Sequence, residues 1–574
     1  MHKKNNKHLQ PALISAISEL PENRIKLLKT SWANTFYHKF FSRIDEGIFA
    51  VLYSKKPSRP NVPVNVLVGL EVMKAGFGWS DAELYEHFCF DLQVRYALGY
   101  DRLGDGDFAI RTMYYFRERL SQYYLESGIN LLEQAFDQIT DIQIEQLQVR
   151  TGMQRMDSTQ IASNIVNASR LQLLVEAIQR TYRILSEADQ NRLSEQFAPY
   201  LKETAGHYTY RVKGKEAVQE HLQKVGMVIY DLITELKETY AADEAYQVLE
   251  RIFRENFHLI KEHISPKENQ ELASDSLQSL DDLEASFRTK RKEHYKGYVA
   301  NVTETCEPEN DLQLITKVQV APNNTDDSTL LVDALPDLKE RTDLDTIYTD
   351  GGHGSPTADK ALQTHNIKHV QTAIRGRKQN PDKLHLSDFD IEIDGDGHPS
   401  TITCPQGQAV SVQPSLHKKA WVAHFDPEIC AACPLVDQCP AQPQKRDPRF
   451  QLRFTQKKAT AAKRRRESKK QQQEGRNLRA AVEATMRSIK HPFPAGKLPV
   501  RGRFRVSCLI IGSAAMTNIR RIQRYMISKW KDENQLESTE NKQNSTQKKL
   551  GYSFFLFIKR AFRYQKRSIW VFNP

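Results

Sequence analysis

The chain has 574 residues and carries 82 Lys and Arg against 71 Asp and Glu, which gives a formal net charge of +11. This length predicts several domains rather than one hydrophobic core, and the excess of positive charge permits a polyanionic partner without requiring one. The sequence excludes a membrane protein and predicts a cytoplasmic one, because no apolar run reaches the roughly 18 residues of a membrane span and no apolar signal core follows residues 1–6.

The first 150 residues show helical periodicity. Apolar spacing predicts a helix at 64–76, and Ser80 with Glu83 forms a capping box that begins the next helix. Two further helices are predicted before residue 150. Helices joined by short turns can build a helix-turn-helix, so we expect residues 1–150 to be an N-terminal helical DNA-binding domain.

The next segments predict an α/β core that is interrupted early. A strand is expected within residues 151–168, and the helical period that returns afterwards predicts an all-helical insertion at 169–290. Strands, a helix and a last strand follow within residues 291–377. Without the insertion, this order matches the opening half of a ribonuclease-H-like fold.

The last third is divided by composition. Residues 378–475 are loop-rich, contain a cysteine cluster and end in a basic linker, whereas residues 476–530 predict the C-terminal helices of the core. Residues 531–574 are polar and then basic and aromatic, so we expect a basic, poorly ordered tail.

Four of the seven cysteines lie close together in the loop-rich segment, two of them in a Cys-x2-Cys knuckle: Cys404, Cys430, Cys433 and Cys439. Four thiolates suit tetrahedral Zn²⁺, which would staple a segment that lacks a sufficient core of its own. Four unrelated reduced cysteines, an iron–sulfur cluster and a redox-active set remain alternatives.

Three carboxylates are placed as a metal site would need them. Asp157 lies within a predicted strand, Asp350 ends another before Gly351-Gly352, and Glu483 lies on a helix beside its apolar stripe. Mg²⁺ prefers carboxylate oxygens, and two such ions can activate a water and stabilise a leaving oxygen in phosphodiester chemistry. The alternative is ordinary: a strand or turn Asp, and a surface Glu paired with Arg one turn away.

Basic residues precede the helix of Glu483. The run Lys463, Arg464, Arg465 and Arg466 would neutralise phosphates without reading base sequence. A solvated charged linker is the alternative, but the position beside the third acid favours DNA binding.

Several segments resemble bacterial insertion-sequence transposases of the DDE type. Arg155-Met-Asp-Ser-Thr159 is similar to the family's first-aspartate segment, and Thr349-Asp-Gly-Gly-His353 to its second. Arg479-x3-Glu483-x6-Lys490 resembles the signature around the third acid, although Arg476 stands where the family has Tyr. Residues 60–99 and 505–520 resemble the family as well, and so does the Cys-rich insertion, so the resemblance covers roughly residues 40–525.

The resemblance implies a DDE mechanism. Asp157, Asp350 and Glu483 would hold two Mg²⁺ or Mn²⁺ ions, and Arg479 and Lys490 would contact DNA phosphates. Water would cut the ends of the element, and the freed 3′-hydroxyl would attack target DNA. The implied partners are terminal inverted repeats and target DNA, bound by a homodimer or a larger assembly. The rival interpretations are a decayed or domesticated DNA-binding protein that kept the fold, and a nuclease without joining activity.

Overall fold

The structure is a computed structural model. It describes residues 1–532 except for 11–14, 57–59, 101, 103, 202, 262, 291–292, 373–378, 395–397, 416–419, 445–447, 474–477 and 479. Arg476, Arg479 and almost all of the expected tail at 531–574 therefore lie outside the described residues. None of the described helices is long and apolar enough to cross a membrane.

The N-terminal region is helical, as predicted. Its helices are α1 (Glu22–Lys29), α2 (Trp32–Lys39), α3 (Val64–Phe77), α4 (Asp81–Phe90), α5 (Leu92–Ala97), α6 (Arg111–Ser127) and α7 (Leu131–Gln146). The capping box at the start of α4 is confirmed, since Ser80 N donates to Glu83 Oε2 at 2.8 Å and Glu83 N to Ser80 Oγ at 3.2 Å. Helix α3 is the centre of this region, because it is apolar on nearly every side and almost wholly buried.

The predicted insertion follows the first strand, β1 (Met153–Ile161). It contains α8 (Arg170–Ile184), α9 (Glu187–Arg192), α10 (Ser194–Phe197), α11 (Lys215–Tyr240) and α12 (Glu244–Asn256), which enclose a hydrophobic core of their own. The expectation of an all-helical insertion is wrong, because α12 runs directly into the hairpin β2 (Phe257–Ile260) and β3 (His263–Pro266). Four-residue strands are too short to show a period in the sequence.

A mixed sheet forms the middle of the molecule. Its remaining strands are β4 (Ser286–Lys290), β5 (Glu293–Thr305), β6 (Ile315–Pro322), β7 (Thr346–Thr349) and β8 (Lys368–Gln371). The long strand β5 pairs antiparallel with β1, β4 and β6, whereas β1 pairs parallel with β7, and β7 with β8. The order across the sheet is therefore β6–β5–β1–β7–β8, with β4 extending the free end of β5.

Helices cover both faces of this sheet. On one face, α13 (Asp327–Arg341) and α14 (Pro356–Thr364) pack against Met156 and neighbouring strand residues. On the other face the strands share one continuous hydrophobic core with the N-terminal helices and with two C-terminal helices. These are α17 (Ala480–Lys490), which lies within the predicted helical range 476–530, and a long last helix, α18, at 503–532.

The Cys-rich segment forms a second sheet rather than loops. Its strands are β9 (Asp390–Ile393), β10 (Pro399–Thr403), β11 (Ala409–Pro414), β12 (Ala420–Phe425), β13 (Gln442–Pro443) and β14 (Phe450–Thr455), with α15 (Pro427–Ala431) between β12 and β13. The predicted basic linker is helix α16 (Gln456–Gln473). The loop-rich expectation was wrong because these strands are short and several, such as β11, are mostly exposed, so they carry no strong apolar alternation.

Candidate active site

Strand pairing brings the first two predicted acids to the same level of the sheet. Strands β1 and β7 run parallel, with Met153 opposite Thr346 and Arg155 opposite Tyr348. Two residues further along each strand direction, Asp157 and Asp350 lie at the same level, at the carboxyl end of β7. Functional groups commonly lie at that end of parallel strands.

Helix α17 lies along the face of β1 that carries Asp157. Alternate residues of a strand point to the same face. On this face, Arg155 Nη1 donates to the Leu478 carbonyl at 2.5 Å, and Thr159 Oγ1 accepts from Lys490 Nζ at 2.9 Å. Asp157 lies between these two contacts and is 7% exposed. Glu483 lies between them along the helix and is exposed.

A buried charge network fixes this helix to the sheet. Glu304 on β5 has no exposed surface and accepts from Arg155 Nε at 2.6 Å and from Arg521 Nη1 at 2.8 Å. The same carboxylate accepts from Thr485 Oγ1 at 2.8 Å. Thr485 is two residues from Glu483, so the network holds the helix of the third predicted acid against the strand of the first.

The surroundings of Asp350 include two residues that the sequence did not single out as ligands. Asp350 Oδ1 accepts from Gly352 N at 2.7 Å and lies 2.8 Å from Nδ1 of His353, which is fully buried. One potential ligand atom from each of Asp327, Asp350 and His353 lies within 4.8 Å of the others. The two carboxylates suit a hard cation such as Mg²⁺ or Mn²⁺, whereas an imidazole ligand favours a transition-metal ion over Mg²⁺.

Asp157 and Glu483 are not members of that compact cluster, which is the one group in the described part of the chain whose atoms lie close enough together to hold a metal ion. Asp327 is nevertheless connected to the first strand, because Ser158 Oγ donates to its Oδ1 at 2.8 Å. The structure thus places Asp157 and Asp350 level with each other on neighbouring strands, with the Glu483 helix across the Asp157 face of β1. Asp327 and His353 lie beside Asp350, and Asp327 contacts the opposite face of β1 through Ser158.

The sequence gives only weak signals that Asp327 and His353 belong to this site. Asp327 follows Asp326 at the start of α13, where an acidic residue is usually explained by the helix N-terminus. His353 belongs to the Asp-Gly-Gly-His segment, so its spacing from Asp350 was visible but not its burial. Nearby, burial lowers the pKa of His369 to about 3, with Arg464 and His353 adding to the effect, and its Nε2 lies 2.8 Å from Thr349 Oγ1.

The basic helix α16 is held to the protein by several of its cations. Arg464 forms an ion pair with Asp359 on α14, Arg466 lies 2.9 Å from Asp390, and Lys469 lies 2.9 Å from Asp388. Lys463 is exposed, and Arg465 is half-buried. Of the four predicted DNA-binding residues on this helix, two therefore contribute to its own docking.

The four clustered cysteines line one small cavity of about 30 Å³ between β12, α15 and the loop after β10. Gln408 connects two of them, because its N–H donates to Cys404 Sγ at 3.3 Å and its Oε1 lies 3.8 Å from Cys430 Sγ. Burial raises the pKa of Cys430 to about 11, and the other three thiols add to the effect. Four sulfurs facing one cavity fit Zn²⁺, although they do not form the compact group that surrounds Asp350.

Comparison with known proteins gives one family. Residues 403–523 match the model described as a transposase DDE domain. The matched range contains the second sheet, α16, α17 with Glu483, and most of α18, but neither Asp157 nor Asp350. No significant match was found among curated proteins or among solved structures.

Proposed function

We propose that this chain, of which residues 403–523 match a transposase DDE domain, cleaves the ends of a mobile DNA element and joins them to target DNA. The observation that supports the proposal is the arrangement of the three elements that carry the predicted acids. Asp157 on β1 lies level with Asp350 after β7, and α17 with Glu483 packs along the same strand.

We further propose that the central sheet is a ribonuclease-H-like core. The order β6–β5–β1–β7–β8, with three antiparallel strands followed by two parallel ones, supports this assignment. The insertion between β1 and β5 and the second sheet before α17 would then be additions to that core.

The acids would hold two divalent ions, Mg²⁺ or Mn²⁺. When bound, such ions supply Lewis acidity that lowers the pKa of a water and stabilises the leaving oxygen. Asp350 fits best as the shared ligand, since it lies level with Asp157 and within 4.8 Å of Asp327 and His353. Glu483 is exposed on α17, so its carboxylate would be accessible to an ion that is bound together with the DNA substrate.

The reaction has two balanced steps. Water attacks the phosphorus at the end of the element, the bond from phosphorus to the 3′-oxygen breaks, and a 3′-hydroxyl and a 5′-phosphate result. The 3′-hydroxyl then attacks a target phosphate and forms a new phosphodiester, and the bond from that phosphorus to the target 3′-oxygen breaks. The proton of the attacking hydroxyl passes through solvent to the leaving 3′-oxygen, which is released as a target 3′-hydroxyl. Lys490 and Arg479 would bind the phosphates that flank the reacting one.

We also propose a structural zinc ion and an oligomeric state. Cys404, Cys430, Cys433 and Cys439 would hold a structural Zn²⁺ that ties α15 to the second sheet. Both ends of the element must be handled together, so we expect a homodimer or a larger complex on DNA. The alternatives are a decayed or domesticated DNA-binding protein and a nuclease that cannot join strands.

The test uses full-length protein with element-end DNA, a target plasmid and Mg²⁺. Wild type should nick at the 3′ end and join that end to the plasmid, whereas Asp157→Asn and Glu483→Gln should bind DNA and do neither. Glu187→Gln, which changes an exposed carboxylate on α9, is the matched control and should retain activity. Binding without cutting by wild type would support a decayed protein, and cutting without joining would support a nuclease.

A further inference from the structure

A basic cleft of about 680 Å³ lies where β1 and α17 both end. Its lining includes four cationic side chains and two histidines: Lys296, Arg487, Lys490, Lys497, His294 and His491. No carboxylate lines it within the described part of the chain. A cleft of one charge sign concentrates oppositely charged ligands.

Three lysines of this cleft donate to neutral oxygens. Lys490 Nζ donates to Thr159 Oγ1 at 2.9 Å, Lys296 Nζ to the Ala168 carbonyl at 3.3 Å, and Lys497 Nζ to the Ile165 carbonyl at 3.3 Å. None of the three forms an ion pair with a described carboxylate. Their charges are therefore available to an external anion.

Two of these ammonium groups are half-buried. Desolvation lowers the pKa of Lys296 and of Lys490. A partly buried cation without a counterion is unfavourable, and an incoming anion removes that cost.

The walls of the cleft are fixed by backbone contacts. Leu498 N donates to the Ala162 carbonyl and Asn164 N to the Val500 carbonyl, both at 2.9 Å. Gly297 has φ +128°, and a Cβ there would lie 2.5 Å from the Ile161 carbonyl oxygen, so this close approach requires glycine. The protein's own backbone contacts thus fix the walls of the cleft.

The cleft continues from the proposed active site. At about 1.5 Å per residue, Arg487 lies about 6 Å beyond Glu483 along α17, and Lys490 about 10 Å beyond it. An anion in the cleft would therefore be a near neighbour of the phosphate that reacts.

We propose that this cleft binds consecutive phosphates of the DNA strand that enters the active site, with Lys296 and Lys497 as phosphate contacts beside Lys490. The proposal rests on the proposed function and extends it to residues outside the DDE signature. Because the contacts are made by lysines rather than by base-reading groups, binding here is independent of base sequence.

The test is the salt dependence of DNA binding by full-length Lys296→Gln and Lys497→Gln, measured by fluorescence anisotropy with a labelled element-end duplex. Each variant should reduce the magnitude of the negative slope of log K against log salt by about 0.9, as expected for one lost phosphate contact. Lys213→Gln, an exposed lysine in the insertion, is the matched control and should leave the slope unchanged. Unaltered thermal unfolding of both variants would show that the fold is retained.

Slopes equal to the wild-type value in both variants would overturn the proposal, and so would tighter binding of an RNA duplex of the same sequence. This test is independent of catalysis, because the salt dependence of DNA binding can also be measured in the Asp157→Asn background without divalent metal. If both variants show the predicted change in slope but wild type never cuts DNA, the proposed function is contradicted and the cleft assignment is left intact.

Discussion

Arg155 and Glu304 lie directly opposite each other on the antiparallel strands β1 and β5, with Arg155 Nε 2.6 Å from Glu304 Oε1. Glu304 is completely buried, and Arg521 from α18 and Thr485 from α17 bind its other oxygen. The Glu304 carboxylate therefore joins β1, α17 and α18, two of which carry predicted acids. Removing one partner of a buried ion pair leaves an uncompensated charge, which is more costly than the pair is favourable.

We expect Glu304→Gln to lower the free energy of unfolding by about 3–5 kcal/mol, since Arg155 and Arg521 would lose their counterion. Urea denaturation followed by circular dichroism measures this change. Glu235→Gln is the control, because Glu235 pairs with the half-exposed Arg192, and such a pair contributes roughly 0–1 kcal/mol. Equal losses in the two variants would contradict a special role for Glu304.

The contact between His353 and Asp350 leads to a second prediction. His353→Asn should reduce metal-dependent cleavage by about 10–100-fold and raise the Mn²⁺ concentration that gives half the maximal rate, because groups that orient a metal ligand have effects of this size. A Mn²⁺ titration of the cleavage rate is the measurement. The exposed His263→Asn should leave the titration curve unchanged, and an unchanged curve for His353→Asn would exclude an orienting role.

Asp327 should act as a ligand in the same cluster. We expect Asp327→Asn to weaken Mn²⁺ binding to the DNA-free protein, as measured by calorimetry, because the amide keeps the size of the carboxylate but loses its charge. Asp333→Asn on the same helix is the comparison. Identical Mn²⁺ affinity in wild type and Asp327→Asn would place this residue outside the metal site.

The cysteine cavity predicts one zinc ion per chain. Elemental analysis of protein purified without chelator should find it, and removal by a chelator should make four additional thiols reactive among the seven in the chain. Cys433→Ser should lower the zinc content, whereas Cys89→Ser should not. Zinc-free protein with an intact second sheet by hydrogen exchange would contradict a structural role.

A pH effect is expected where α7 meets α13. Asp137 lies 2.9 Å from Arg341 Nη1, yet burial raises its pKa to about 7. The nearby carboxylates of Asp337 and Glu133 add to this rise, whereas Arg341 and Lys317 oppose it. A carboxyl group whose pKa is raised by folding favours the folded state at low pH, and this contribution is lost as pH rises from about 4 to about 7. Asp137→Asn should therefore raise the melting temperature relative to wild type more at pH 8 than at pH 5.

Thermal unfolding measured at pH 5 and at pH 8, with Asp141→Asn as the comparison, tests this effect of Asp137. Asp141 also pairs with Arg341 but is more exposed, with 37% of its side chain accessible against 16% for Asp137. Asp137→Asn that destabilises the protein equally at both values would show that the Asp137–Arg341 ion pair dominates instead.

The sequence by itself determined the features that depend on local chemistry. Helical periodicity and the Ser80–Glu83 box predicted the N-terminal helices because both depend on residues within one or two turns. The acid signatures, together with the family to which residues 403–523 are matched, predicted where the chemistry should lie. The strands after residue 378 were missed, since short exposed strands are stabilised by pairing with distant partners.

Only the tertiary structure decided which distant residues meet. The pairing of Arg155 with Glu304 joins residues 149 positions apart in the chain. The grouping of Asp327 and His353 with Asp350 joins a helix start to the loop after β7, and the cleft joins Lys296 to the distant Lys490 and Lys497. Apart from Asp350 and Lys490, which the family signatures single out, each of these residues taken alone looks like an ordinary charge or helix-end residue. Their proposed roles follow from burial and from which groups lie beside one another, and both are properties of the packed chain.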